Sequence, residues 1–425
     1  MKLLNSGPGT GLGRGVYGNS TTSFLIQGAQ VFRQGVLLGA VNALVDYPYF
    51  WFNDTQGNPS YTYFSNGDAG YTCTSLGTFA AISNVNYPAF TVPGSAYLDG
   101  TLYVMDASAR IWGSNLNDPT TWSALNVIQA QIEPDRGVAI AKQLIYVVAL
   151  KETSTEFFYD AANPVGTPLL PVQNAKIGYG CAYPLSVQNI DDVLFWIAKT
   201  KEGGLLVGEC RGMKFQKIST PAIDRLLASV PVNAQVTSMS MRLNEHTYYV
   251  IRLPSNFSTP NLFLVYDATE RLWYQWNNPL GLLVSTAYPQ AGNGPSVAAM
   301  QGTDGSVYNI PQGQVAYYDT AVGLVNFPIV TEIITPNFSA GTKIVKVMSR
   351  LKFLADQNAG GMLQVRWSDD DYKNWSAWRT VNLAEDFPQL ANLGSFRKRA
   401  LHLRHSSPTP FRLQALELDV LLGSV

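Results

Sequence analysis

TLYVMDASARIWGS, Thr101 to Ser114, sets two apolar, aromatic-rich runs on either side of the polar turn Asp106-Ala107-Ser108. Runs of five to seven β-formers broken by turn residues read as a hairpin. The same reading recurs along the first three quarters of the chain. SFLIQGAQVF starts at Ser23 and LIYVVALKETSTEFFYD at Leu144. VLFWIAKTKEGGLLVGEC follows from Val193, and TYYVIRLPSNFSTPNLFLVYDATERLWYQW from Thr247. SVAAMQGTDGSVYNIP begins at Ser296. Glu202-Gly203-Gly204 and Thr303-Asp304-Gly305 supply two more hairpin turns. From Thr101 onward the units stand about 45–55 residues apart, the length of one four-stranded propeller blade. Six pairs predict a six-bladed β-propeller over residues 13–330, with 1–12 as a glycine-rich lead-in and 47–94 as an irregular stretch.

The pattern changes near Pro328 to Asn337. GGMLQVRWSDDDYKNWSAWRTVNL and RALHLRHSSPTPFRLQALELDVLL read as hairpins, the second slipping register at a bulge near Ala415. Residues 336–425 are therefore expected to form a C-terminal β-sandwich. They carry 12 basic and 8 acidic side chains, whereas the whole chain has a net charge of −1. The fold class is all-β. One helix is predicted after Thr220, where Pro221 suits the first position and Ile223, Leu226, Leu227 and Val230 share a face. A short turn at Asp118-Pro119 is expected to bury Trp122 and Leu125.

Composition narrows the function. Hydrophobic residues make up 46% of the 425, enough for a large core. Charged residues make up only 14%, against the roughly 25% usual in soluble proteins, which points to a surface partly hidden in an assembly. Near-neutral charge steers the protein neither to nucleic acid nor to a membrane surface. Cys73, Cys181 and Cys210 are far apart and odd in number, so they read as buried thiols in a reducing cytosol. No apolar run is long enough to span a membrane, and MKLLNSGPGTG lacks the core of a signal peptide.

No hydrolase, P-loop, zincin or EF-hand motif occurs, and no cofactor or metal is expected. His246, His402 and His405 read as ordinary surface histidines. The HxxH spacing within a strand-turn region puts the last two on opposite faces or in different strands. Ser368-Asp369-Asp370-Asp371-Tyr372-Lys373-Asn374-Trp375 approximates the Asp box of sialidase propellers, in which the carboxylate bonds a hairpin turn. Ser368, Asp370 and Trp375 are thus candidates for a structural turn. Arg397, Lys398 and Arg399, with Arg404 and Arg412, form the one dense basic group. It suits an interface or lumen contact, or a turn paired with Asp369–Asp371. A propeller glycoside hydrolase of sialidase type and a monomeric carbohydrate-binding propeller are the alternatives; the first would need a carboxylate pair at the propeller mouth.

An ordered set of stretches resembles the packaged-DNA stabilization protein, the tail hub or nozzle, of short-tailed bacteriophages. They are GRGVYGN (Gly13–Asn19), AYLDGTLYVM (Ala96–Met105), SNLNDPTTWSAL (Ser114–Leu125), ETSTEFFYDA (Glu152–Ala161) and GYGCAYPLSV (Gly178–Val187). DDVLFWIA (Asp191–Ala198), ISTPAIDRLLAS (Ile218–Ser229), VYDATERLWYQW (Val265–Trp276), RWSDDDYKNWS (Arg366–Ser376) and LGSFRKR (Leu393–Arg399) continue it. Two departures stand out. The family's segment before the first blade has no counterpart here, and its Asp-Asp-Gly-Gly turn is Asp370-Asp371-Tyr372-Lys373. The resemblance implies a non-enzymatic virion tail protein, assembled in the host cytoplasm without membrane insertion. It would be a homo-oligomer, a hexameric ring below the portal and its head-to-tail adaptor ring. Such a ring closes the DNA channel, retains the packaged genome, touches the DNA transiently and non-specifically, and docks a tail needle, fibres or spikes.

Overall fold

The computed structural model describes residues 2–5, 8–19, 22–42, 49–163, 165–243, 245–254, 262–277, 282–283, 288–289, 296–302, 304–310, 318–319, 327–328 and 330–423. The chain divides into two compact units, 3–312 and 313–425, the second taking in residues 1–2.

The first unit contains seven antiparallel sheets among the described residues. Six of them carry the hairpins read from the sequence. The seventh lies in the stretch expected to be irregular, with strands Trp51–Asp54, Tyr61–Ser65, Gly70–Thr74 and Phe79–Ala81. The all-β propeller class holds, but the blade number rises from six to seven. The lead-in is also corrected, because Lys2–Asn5 is a strand hydrogen-bonded to Val307–Ile310 and so completes the last blade.

Stacking between blades explains why the middle strands read as unbroken apolar runs. In Tyr146–Lys151, Val147 and Ala149 pack with Tyr103, Met105 and Ile111 of the blade before. Val148 and Leu150 point the other way, onto Leu194, Trp196 and Cys210 of the blade after. A strand covered on both faces needs apolar residues at odd and even positions alike. The helix forms as expected, over Pro221–Ala228, with the Thr220 side chain accepting from the Ile223 amide. Its Ile223 and Leu227 cover the core shared by the fifth and sixth blades. The turn expected at Asp118 is instead the start of the strand Asp118–Gln129. Asp118 folds back onto Thr120 and Thr121, so the register jumps from Asn115↔Asp118 to Ser114↔Trp122. Trp122 is buried, but Leu125 is exposed.

Polar side chains join neighbouring blades. Asn53 Nδ2 donates to Ser95 Oγ at 3.1 Å, Gln143 Nε2 to the Cys210 carbonyl at 2.5 Å, and Gln188 Nε2 to the Ser238 carbonyl at 3.1 Å. The ring closes where the last blade meets the first. There Gln301, fully buried, accepts from the Gly15 amide at 2.9 Å and donates to the Ile26 carbonyl at 3.1 Å. Gln27 answers from the first blade, donating to the Asp304 carbonyl at 3.1 Å. Close approach at this seam requires glycine, since a Cβ on Gly13 would lie 2.4 Å from the Gly302 oxygen.

The second unit contains a sandwich. One sheet orders Thr331–Ile334, Ala400–His405, Met362–Ser368 and Arg379–Asn382. In the other, Lys346–Ala355 pairs with Leu413–Leu422 on one side and with Gln389–Ala391 and Ser395–Phe396 on the other. Leu351, Phe353, Leu363, Val365, Leu401 and Leu403 fill the space between. The register of Leu413–Leu422 shifts between Leu413 and Ala415. Of residues 311–329, just before the expected boundary, only 318–319 and 327–328 are among the described residues.

Replacing Gln301 with Leu leaves the Gly15 amide and Ile26 carbonyl buried without partners. Destabilisation of about 2–4 kcal/mol is expected in denaturant unfolding. An equal change at exposed Gln173 should be silent.

Candidate functional site

Residues of all seven blades, most of them on or next to the inner strands, line a cavity of about 420 Å³. Each blade contributes to its wall, from Arg14 and Tyr17 of the first through Phe52, Ser95, Lys142 and Gln188 to Thr237 and Gln301. Arg14 is buried, and that burial lowers its pKa from the ordinary value. The described wall is aromatic, amide and hydroxyl in character, with no paired carboxylates of the kind glycoside cleavage uses. Among the described residues no three His, Cys, Asp or Glu side chains gather as a metal site would need.

Charges inside the propeller serve packing. Lys151 is fully buried, its Nζ 2.8 Å from Asp135 and 2.5 Å from Glu156, and it donates to the Glu133 carbonyl at 2.6 Å. All three cysteines are buried and free, and burial pushes the Cys181 and Cys210 thiols up to about 12. Two of the three histidines are not surface residues. His402 is 5% exposed and His405 2%, on opposite faces of one strand. His405 stacks on Phe411, whereas His246 bonds Asp267 at 2.6 Å.

The sandwich separates the basic residues singled out in the sequence. Arg399 is 1% exposed, grips Asp369 through Nε and Nη2 at 2.7 and 2.8 Å, and lies over the Phe396 and Trp367 rings. Being buried, it drops out as an interface contact. Lys398 pairs with Asp371, and Arg404 lies 3.7 Å from Glu332. Arg397 and Arg412 are exposed. Sequence reasoning missed Lys346, also fully buried, whose ammonium donates to the carbonyls of Thr342, Ile344 and Arg397. Its place in an alternating strand gave no hint of this.

The Ser368–Trp375 turn is tightly bonded. Asp370 accepts from Ser368 Oγ at 2.9 Å, from the Asn374 amide at 2.9 Å, and from Asn374 Nδ2 at 2.6 Å. Ser368 Oγ accepts from the Tyr372 amide at 3.0 Å. Asp371 and Tyr372 both take left-handed backbone angles, φ 61° and 65°, which is the conformation that glycine adopts most readily. Trp375 and Trp378 lie over Arg366 and edge-on to His402.

A closed ring of sheets with an amide-clamped interior defines a β-propeller scaffold. The chain belongs to the phage DNA-stabilisation family: the family model Phage_stabilise, described as Bacteriophage P22 Gp10, beta-propeller, matches residues 7–280. It is a DNA-stabilising phage protein of the tail-hub kind, and the family is a structural one. No curated protein matches the chain. Solved structures similar to it include virginiamycin B lyase from Staphylococcus aureus, at 8% identity and TM-score 0.46 over 73% of this chain and 97% of that one. BamB from Moraxella catarrhalis gives 11%, 0.39, 69% and 92%, and YCF48 bound to D1 peptide gives 11%, 0.41, 74% and 96%.

The hydrogen bonds from Asn374 and Ser368 hold the Asp370 carboxyl at about 2, below its ordinary 3.8. A depressed folded-state pKa contributes stability that is full above the ordinary value and is lost as pH falls through the folded one. Amide exchange at Tyr372 and Asn374 should therefore accelerate between pH 4 and 2, after correction for intrinsic rates. In Asp370→Asn it should be faster at neutral pH and lack that pH dependence.

Proposed function

We propose that the chain is a non-enzymatic subunit of a cyclic ring in the virion tail. The ring is a hexamer that joins the head-to-tail adaptor, closes the DNA channel after packaging, and docks a needle, fibres or spikes. The observation that carries this reading is the family match across residues 7–280. Surface chemistry supports it. Leu76, Val85 and Val232 are 87%, 92% and 93% exposed, and only 14% of the chain is charged. Apolar side chains at so many exposed positions favour burial against neighbours.

A ring needs a rigid unit whose sheet edges are short and protected, and a propeller closed on itself meets that need. One heterologous contact, repeated by rotation, then builds the assembly. Arg397 and Arg412, the exposed members of the basic group, are the side chains we assign to the ring interface or to passing DNA phosphates. A near-neutral chain makes such contacts weak enough for DNA to slide past on ejection.

Native mass measurement of the purified full chain should give six copies, and particles lacking the protein should lose DNA after packaging. A stable monomer at high concentration, or infectious DNA-filled particles without the protein, would refute the reading. Charge reversal at Arg397 and Arg412 should weaken assembly or DNA retention, with no change in melting temperature.

A further inference from the structure

The outer face of the Thr331–His405 sheet carries a guanidinium fixed on three sides. Arg366 lies 5.0 Å from the Trp375 ring centre and 4.4 Å from that of Trp378. Its Nε donates to His402 Nδ1 at 3.1 Å. That bond makes Nδ1 an acceptor and leaves the imidazole proton on Nε2, 3.7 Å from Glu332. Burial, the largest influence on His402, lowers its pKa, so the ring stays the neutral acceptor that Arg366 needs. The two terminal nitrogens of Arg366 have no hydrogen-bond or carboxylate partner among the described residues. Tyr372, 42% exposed and 6.1 Å from Trp375, extends the aromatic surround. A planar fork immobilised by stacking is built to take a carboxylate through both nitrogens.

The same sandwich presents a matching group elsewhere. Between Arg379–Asn382 and Gln389–Ala391, the loop residues Glu385, Asp386 and Phe387 are all exposed, Phe387 by 78%. Gln357 Nε2 steadies the loop, donating to Asp386 Oδ1 at 3.2 Å and to the Glu385 carbonyl at 3.3 Å. A large apolar ring held out beside two carboxylates complements a cation set among indoles. The two groups lie at opposite ends of strand Arg379–Asn382, roughly 13 Å apart at 3.3 Å per residue, so one molecule does not fill its own site.

We propose that the Glu385–Phe387 loop of one copy docks on the Arg366–Trp375–Trp378 site of the next. A carboxylate enters the guanidinium fork, and Phe387 packs against an indole. Because the two patches differ, the contact is heterologous and closes a ring when repeated. This rests on the ring reading above and names its contact. A nucleic-acid strand fits the site less well, because the Asp370 carboxylate, in the turn that carries Trp375, has no cation partner among the described residues and repels a polyanion.

The test uses full-length protein and native mass spectrometry across a concentration series. Phe387→Ala, and Glu385→Lys with Asp386→Lys, alter only exposed loop residues. Each should raise the concentration for half-assembly by at least about 30-fold. Arg366→Glu should do the same, and combining it with the two lysine substitutions should restore assembly toward the parent. Loop variants that assemble like the parent would overturn the contact while leaving the ring reading intact. A parent that never forms a ring would overturn both. Loss of oligonucleotide binding in Arg366→Glu, with assembly unchanged, would assign the site to nucleic acid instead.

Discussion

The propeller depends on one seam. Six inter-blade junctions join neighbours in sequence, but the seventh must bring residues near 300 against residues near 15. Gln301 and Gln27 make that junction, each buried and each bonding backbone of the opposite blade. An amide suits this place because it gives and accepts at once, and so satisfies the unpaired donor and acceptor where two sheets meet without a shared ladder. The strand Lys2–Asn5 adds a second closure by completing the last blade. Without these contacts the outermost blades would expose both an edge and an apolar face.

Most of the propeller was legible because its middle strands are covered on both sides. Double coverage forces runs such as VLFWIA and LFLVY, which are visible without knowing their partners. The missed blade shows the limit. Its strands read WFND, YTYFS and GYTCT, with Thr62, Ser65 and Thr72 buried among Tyr63, Phe64 and Tyr71. Hydroxyls bonded locally, as Thr62 is to Asp54 and Ser65 to Ala69, are buried at little cost but leave no apolar run in the sequence. The N-terminal strand was illegible for another reason. Its partner lies some three hundred residues away, and no local pattern encodes a pairing at that distance.

The basic group was read as one feature because its members are neighbours in sequence. In three dimensions the alternation of strand and turn sends Arg399 inward, to Asp369 and two aromatic rings, while Arg397 faces out. The pairing of Lys398 and Arg399 with Asp371 and Asp369 was among the readings the residues allowed. That Arg399 would be buried was not readable, because it depends on Phe396 and Trp367 meeting from different strands.

This has a consequence for the surface. A chain with 14% charged residues already has few to spread over its exterior. Several are used inside: Lys151 with Asp135 and Glu156, Arg399 with Asp369, Lys346 among three carbonyls, and Asp267 against His246. The solvent-facing surface is therefore poorer in charge than the composition alone suggests, while apolar tips such as Leu76 and Val232 stand out from it. A monomer with that surface would be prone to unspecific association. The propeller splits its backbone edges into short outer strands, one to a blade, which leaves side-chain complementarity to do most of the partner selection. Selectivity then falls on the few charges that remain exposed and unpaired. In a ring built from one repeated contact, a single such charge per copy acts at every interface.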